Sequence, residues 1–172
     1  STQVIGNSDF YNGAFPAEYS NALSGVFDMH LRNGNNQKYE HAFQVGLMGI
    51  DLASEGPINK KRGSSYLINY RFSTTSLASG NDINLKYQDL AFKLNFPTRK
   101  AGSFSIWGLG LLDRNKAEVL DRSEWETMGD RSSGSNKLDK LAGGLTHKYV
   151  INENTYIRSS LSATYSKDHS LV

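Results

Sequence analysis

The sequence predicts an all-β protein built as an antiparallel meander. Apolar and polar residues alternate with period two along much of the 172-residue chain, whereas helical i, i+3, i+4 spacing is weak except over 17–23. Turn-forming residues separate the alternating runs. No stretch approaches the roughly 18 to 20 consecutive apolar residues that a membrane-spanning helix needs. We therefore expect a sheet that no helix covers.

The alternating runs from residue 37 onward define about seven strands. In the clearest run, 66–73, the even positions are apolar and most odd positions are polar, as Ile68 and Asn69 illustrate. Each strand should therefore have one apolar and one polar face. The predicted strands lie at roughly 40–48, 49–56, 64–77, 84–97, 102–115, 135–151 and 154–168.

The boundary between the first two strands follows from parity. Apolar residues have odd numbers up to Leu47 and even numbers from Ile50 onward. Because successive side chains point to opposite faces of a strand, this change predicts a tight hairpin or a bulge near Met48 and Gly49.

The connections differ in length between the two ends of the predicted sheet. Those at GPINKKRG, PTRKAG and INEN are short, whereas those around SLASGND and NKAEVLDRSEWETMGDRSSGS are longer. With the first hairpin counted, all three short connections fall at the same end. A transmembrane β-barrel has this asymmetry, and its tilted strands need roughly 9 to 11 residues. A β-sandwich also alternates, and it remains an alternative.

Aromatic residues lie close to the short connections, where a barrel carries an interfacial aromatic girdle. They are Tyr66, Phe96, Phe104, Tyr149 and Tyr156.

Three segments carry a family resemblance: FYNGAFPAEYSNALSGVFDMHLRNGN, EHAFQVGLMGIDLASEGPI and SSYLINYRFST. In this order they resemble TonB-dependent outer-membrane receptors, most closely the branch with a carboxypeptidase-regulatory-like domain ahead of the plug. The resemblance implies that residues 1–36 are the C-terminal part of the plug domain and its hinge, with GVFDMHLR paired inside the plug. Residues 37–172 would be about seven of the family's twenty-two barrel strands, and 54–57 the first periplasmic turn. The sequence departs from the family in its very tight first hairpin and in Ser20, where glycine is more usual.

The resemblance implies a function in the cell outer membrane. The protein would take up a nutrient, such as a siderophore, cobalamin, a glycan or a peptide, and would contact outer-membrane lipid. TonB would act through a segment outside this sequence, and a surface lipoprotein is a further possible partner. The chain stops in SKDHSLV directly after an alternating run, so we expect it to be a piece of a larger protein. The alternative function is that of a secreted or surface β-sandwich that binds a ligand or adheres.

The resemblance also suggests where polar contacts form. We expect the polar face of the plug strand to contact charges in the barrel lumen. The residues of this predicted contact are Asp28, His30, Arg32, Arg71, Asp89 and Lys93. In the longest loop, Trp125 is a candidate for stacking on a ligand.

Neither catalysis nor a cofactor is expected. The chain has no cysteine, its four histidines lack metal-ligand spacing, and the carboxylates of 113–130 lack the glycine pattern of an EF-hand. The glycines at 108 and 110 lack the Lys-Ser/Thr of a phosphate loop. No Ser-His-Asp or paired-carboxylate arrangement is present. A net charge of +2 without a dense basic block beyond 59–62 argues against nucleic acid.

Overall fold

The computed structural model describes residues 3–13, 16–19, 24–46, 49–74, 84–117 and 134–171. Within these ranges the chain forms nine β-strands and one short 3₁₀ helix, Ala17–Tyr19. None of the helical structure in these ranges has the length and apolarity needed to cross a bilayer. The strands are β1 (Ile5–Tyr11), β2 (Val26–Leu31), β3 (Glu40–Gly46), β4 (Gly49–Asn59), β5 (Ser64–Thr74), β6 (Asn84–Pro97), β7 (Ser103–Ala117), β8 (Gly134–Asn152) and β9 (Thr155–Leu171).

The strands form two antiparallel sheets. Strands β3 to β9 pair in chain order to give a seven-stranded meander, and β1 pairs with β2 alone. The predicted all-β class and antiparallel pairing are confirmed. Within the described residues, β3 and β9 are the two edges of the larger sheet and each pairs on one side only.

The first hairpin of the large sheet agrees with the parity argument. The last described pair of this hairpin is Gly46 with Gly49, and residues 47 and 48 lie outside the described ranges. Gly49 has a φ of 143°, and a Cβ at this position would collide with the carbonyl oxygen of Phe72 on β5. Glycine is therefore needed at the start of β4, where this strand pairs with β5.

The next turn lies later than the family resemblance implied. Residues 54–57 belong to β4, where Pro57 pairs with Ser65, and the chain reverses at 60–63. The turn is closed by hydrogen bonds from the Arg62 amide to the Asn59 carbonyl and from the Gly63 amide to the Lys60 carbonyl. The placement of the turn at 54–57 is therefore wrong. The pairing is irregular just after Pro57, as expected for a residue that has no amide hydrogen.

The seven-stranded sheet has one face that is apolar, and we call it the apolar face. Cross-strand pairing brings large apolar side chains from all seven strands onto it. One such residue from each strand, in chain order, is Phe43, Leu52, Ile68, Leu90, Ile106, Leu145 and Leu161. All seven are exposed, and Leu161 keeps 75% of its surface accessible. No described element covers this face.

The opposite face, which we call the polar face, carries the small sheet β1–β2. The buried hydrophobic residues of the described ranges lie at this contact: Val4 before β1, Leu67 on β5 and Ala91 on β6. Ile5 and Leu31 pack against them. The small core of the described residues therefore lies on the side of the large sheet where alternation predicted polar surface.

The described connections differ between the two ends of the large sheet. The turns at 60–63, 98–102 and 153–154 lie at one end, and the segments 75–83 and 118–133, outside the described ranges, join strands at the other. We call these the short-turn end and the long-loop end. Tyr156 does not share a face with Phe104 and Tyr149, because it lies beside Lys148 on the polar face. The expected girdle therefore lacks this member.

Candidate functional site

The contact between the two sheets begins with the small sheet β1–β2, which we call the N-terminal ribbon. Phe10 pairs with Phe27, and their ring centroids are 6.3 Å apart. Both rings are exposed, so the ribbon has no dry core of its own. Its other end, where Ile5 pairs with Leu31, meets the polar face of the large sheet.

Arg32 follows β2 and links the ribbon to the large sheet. Its two terminal nitrogens donate to the two carboxylate oxygens of Glu55 on β4, at 2.7 and 2.6 Å. Its Nε donates to the carbonyl oxygen of Gln3 at 2.6 Å, and its amide donates to the carbonyl of Val4 at 3.0 Å. One side chain therefore joins both strands of the ribbon to the sheet. A bidentate Arg–carboxylate pair is among the stronger polar contacts, because both partners are charged and the planar groups match.

The surroundings of Glu55 favour its charged form and that of its partner. Its side chain is only 12% exposed, and it also accepts a hydrogen bond of 2.7 Å from the amide of Asn35. The hydrogen bonds with Glu55 raise the pKa of Arg32 above its usual value, although partial burial acts in the opposite direction. The guanidinium therefore stays charged, and the pair acts as a fixed polar clamp.

Two further contacts hold the chain where it leaves the ribbon. Lys93 on β6 donates from Nζ to the carbonyl oxygen of Leu31 at 2.6 Å. Gly34 lies so close to β5 that a Cβ there would collide with the carbonyl oxygen of Tyr66. The contact therefore uses residues from β4, β5 and β6, and its backbone fit requires a residue without a side chain at 34.

Polar residues on β4 to β6 line the polar face near the ribbon. Asn69 is fully buried and donates to Asp51 and to the carbonyl oxygen of Leu52. Arg71 pairs with Asp89 at 2.7 Å and donates to the hydroxyl of Tyr87, above whose ring it lies. These contacts run between neighbouring strands, so they brace the sheet.

Only part of the predicted polar contact reaches the ribbon. Arg32 and Lys93 do contact across the two sheets, but not with each other. Asp28 and His30 lie 3.2 Å apart at a partly exposed position, and Asp28 also accepts a hydrogen bond from Tyr19. Neither residue contacts the charged side chains of the large sheet that were predicted as its partners. The predicted partners of the strand, Arg71 and Asp89, pair with each other instead.

Glu55 is the contact residue that the sequence analysis missed. Its position fell both in the predicted strand 49–56 and in the turn that the resemblance placed at 54–57, whereas β4 continues to Asn59. The signal was present in the parity of this strand, because Asp51, Ala53 and Glu55 alternate with the apolar residues Ile50 and Leu52. This alternation, within the predicted strand 49–56, already places the carboxylate on the polar face.

The remaining candidates do not form a second site in the described residues. Trp125 lies outside these ranges, so the prediction of ligand stacking stays a prediction. No group of three or more His, Asp or Glu residues in the described part is arranged to hold a metal ion.

The described residues thus define a class of structure. It is an antiparallel sheet whose apolar face is uncovered and whose polar face binds an N-terminal ribbon through the Arg32–Glu55 ion pair. No protein-family model, curated protein or solved structure matches the chain.

Proposed function

We propose that this chain is part of a TonB-dependent outer-membrane transporter, with β3 to β9 as a segment of the barrel wall and the N-terminal ribbon as the end of the plug. The observation that supports this proposal most strongly is the difference between the two faces of the large sheet. Every strand of the large sheet exposes large apolar side chains on one face, and the ribbon binds the other face. A barrel wall needs this arrangement, with lipid outside and a polar lumen inside.

The height of the apolar face supports a membrane position. On β7 the face runs from Phe104, near the short-turn end, to Leu112, a distance of about 27 Å at roughly 3.4 Å per residue. A strand tilt of about 40° would reduce this to a height of ~20 Å, close to the roughly 25 Å band of a barrel. Phe104 stacks on His147, with ring centroids 4.4 Å apart, at the end where an aromatic girdle is expected.

The ribbon contact supports the assignment of a plug element. Its clamp consists of polar groups that water could solvate, and its apolar part is small, with Val4, Leu67 and Ala91 as its buried members. Such a contact fits an element that lies in a wet lumen and has to move during transport. In this proposal TonB would act on the plug through a segment outside this sequence.

The transported molecule would be a nutrient, of the classes that the family resemblance implies. The two long segments at the long-loop end, 75–83 and 118–133, would face the outside of the cell. They would contribute to substrate capture or to contact with a surface lipoprotein, and Trp125 is the candidate for stacking.

The alternative β-sandwich makes a different use of the apolar face. A sandwich buries the apolar faces of its two sheets against each other. In the described residues the second sheet lies on the polar face, and Ile68 and Leu161 remain exposed. This observation favours the barrel wall over the sandwich.

Site-specific labelling tests the proposal, and the absence of native cysteine means that each variant has a single thiol. The matched pair is Leu161→Cys on the apolar face and Ser162→Cys on the polar face, adjacent and both exposed on β9. Each would carry a nitroxide, and accessibility to oxygen and to a water-soluble nickel complex would be measured in detergent micelles. We expect the label at 161 to favour oxygen and that at 162 to favour nickel.

The same measurement separates the two functions. Oxygen-favouring labels at alternate positions of β9, together with loss of solubility when detergent is removed, fit a barrel wall. A chain that stays soluble and monomeric without detergent, with the label at 161 exposed to nickel or shielded by protein, would exclude the membrane proposal.

A further inference from the structure

A row of basic side chains crosses four strands at the long-loop end of the apolar face, and we call it the basic row. Lys86 on β6 pairs with Arg114 on β7, Arg114 pairs with Lys137 on β8, and Lys137 pairs with His169 on β9. Cross-strand partners lie on the same face of a sheet. The register therefore places all four side chains on the apolar face. Along β6, Lys86 lies four residues before Leu90, so one row of side chains on this face separates the basic row from the row that contains Leu90.

The intervening row adds one more lysine. It consists of Gln88, Leu112, Asp139 and Lys167 in neighbouring pairs. The carboxylate of Asp139 is paired with Arg114, which also donates to the carbonyl oxygen of Leu138. By contrast, Lys86, Lys137 and Lys167 are exposed and form no ion pair with any described residue. Three lysine charges are thus left without a protein counter-ion within the described ranges.

This charge is confined to one end of the apolar face. At the short-turn end the corresponding row consists of Phe96, Phe104, His147 and Ser159, with no lysine or arginine. The lysines and arginines in the turns at that end do not lie on a strand of this face; they are Lys60, Lys61, Arg62, Arg99 and Lys100. Within the described strands, the basic row of the apolar face therefore lies at the long-loop end.

A shallow apolar groove lies on the same face, separated from the basic row by the intervening row. Small residues form its floor, because Gly108, Gly110 and Gly143 on β7 and β8 have no side chains to fill it. Leu90, Leu141 and Tyr165 are among its walls, and its volume is about 430 Å³. The groove and the three lysines together form an apolar slot with a cationic end.

We propose that this corner of the sheet binds a phospholipid with an anionic phosphate headgroup, with the phosphate at the basic row and an acyl chain in the groove. The inference rests on the proposed function, because it requires the apolar face to lie in lipid. The chemistry is complementary at both ends. Lysine side chains near a membrane surface extend toward lipid phosphates, and the charge attraction holds the headgroup while apolar surface accepts the chain.

Binding of short-chain phosphatidic acid tests this inference. The full chain in uncharged detergent micelles would be titrated with the lipid, and the bound fraction measured by native mass spectrometry. The test variant is Lys86→Gln with Lys137→Gln in the basic row. Its matched control is Lys60→Gln with Lys61→Gln, which removes the same two charges at the short turn 60–63.

We expect the basic-row variant to bind phosphatidic acid roughly 30-fold more weakly than the parent, as about 1 kcal/mol per lysine at a membrane surface predicts. The control should stay within about twofold of the parent, and the variant with Lys86→Arg and Lys137→Arg should retain binding because it retains the charge. Phosphatidylcholine of the same chain length should bind weakly to all of them.

Three results would overturn the inference. They are equal binding by parent and basic-row variant, an equal loss in the control, and complete competition by inorganic phosphate at the concentration of the lipid, which would indicate an anion site without a lipid. The spin-label experiment on Leu161→Cys keeps the two proposals apart. If the label lies in the micelle and the basic row does not matter, only the lipid site fails, whereas a water-exposed label removes both.

Discussion

Substitution of Arg32 by methionine should release the N-terminal ribbon from the sheet without unfolding either. The change removes two hydrogen bonds to Glu55 and one to the carbonyl oxygen of Gln3. Methionine keeps much of the aliphatic length of arginine, so the loss is mainly polar. The carboxylate of Glu55, 12% exposed, would keep only the amide of Asn35 among the groups that now bind it.

The size of the effect follows from these contacts. A hydrogen bond to a charged group contributes about 1.5 to 3 kcal/mol, and the loss of a buried partner adds the cost of an unpaired charge. Arg32 is 36% exposed, however, so water screens part of the attraction and can solvate the carboxylate afterwards. We therefore expect the free energy of ribbon opening to fall by about 2 kcal/mol, which corresponds to a roughly 30-fold increase in the open population.

Amide hydrogen exchange measures this quantity, because amides that are protected only in the docked state exchange through opening. Exchange of the Asn35 amide, which donates to Glu55 across the contact, should accelerate about 30-fold in the Arg32→Met chain, whereas amides in β7 and β8 should not change. The matched control is Arg158→Met on β9, where the arginine is exposed and has no ion-pair partner in the described residues. Equal exchange of the Asn35 amide in both variants would refute the reasoning. A double variant in which the two charges are swapped, Arg32→Glu with Glu55→Arg, should restore part of the protection against hydrogen exchange.

Three other changes probe the same contact and the core beneath it. Lys93→Met should lower the free energy of ribbon opening by about 1 kcal/mol, because the carbonyl of Leu31 loses its donor, and exchange of the Asn35 amide should be roughly fivefold faster. Gly34→Ala should have a larger effect than Lys93→Met in the same assay, since its Cβ would collide with the backbone of Tyr66; equal exchange in parent and variant would contradict the close approach. Leu67→Ala should reduce the unfolding free energy by about 3 kcal/mol in denaturant titrations, because this side chain is 1% exposed in the core, and a loss below ~1 kcal/mol would show that it is not packed as described.

The large sheet was the part of the molecule most open to prediction from sequence. Alternation separates Ile68 from Asn69, and the structure places the first on the exposed apolar face and buries the second on the polar face. A change of parity was enough to locate the first hairpin next to Gly49. Period two is a local property of the extended backbone, so it can be recognised without knowledge of the partner strands.

The first strand of the N-terminal ribbon could not be recognised in the same way, although the predicted paired segment GVFDMHLR does contain β2. Strand β1 has the sequence IGNSDFY, which lacks regular alternation, and its register with β2 shifts between Ile5 and Ser8. Its partner begins at Val26, after an intervening 3₁₀ helix. The clamp between Arg32 and Glu55 depends on how two separate sheets meet, and no local pattern encodes that arrangement.

The small size of the apolar contact bears on how the ribbon could move. Separation of the ribbon from the sheet would expose Val4, Leu67 and Ala91, whose burial is the part of the contact that water cannot replace. The clamp differs in this respect, since water can hydrogen-bond to both Arg32 and Glu55 once they part. The polar groups that fix where the ribbon docks would therefore be groups to which water can hydrogen-bond after opening. The small apolar area would set the free energy that opening requires. A force applied to the ribbon would then have to break one charged pair and a few hydrogen bonds before water entered, and the large sheet would keep its own interstrand pairing throughout.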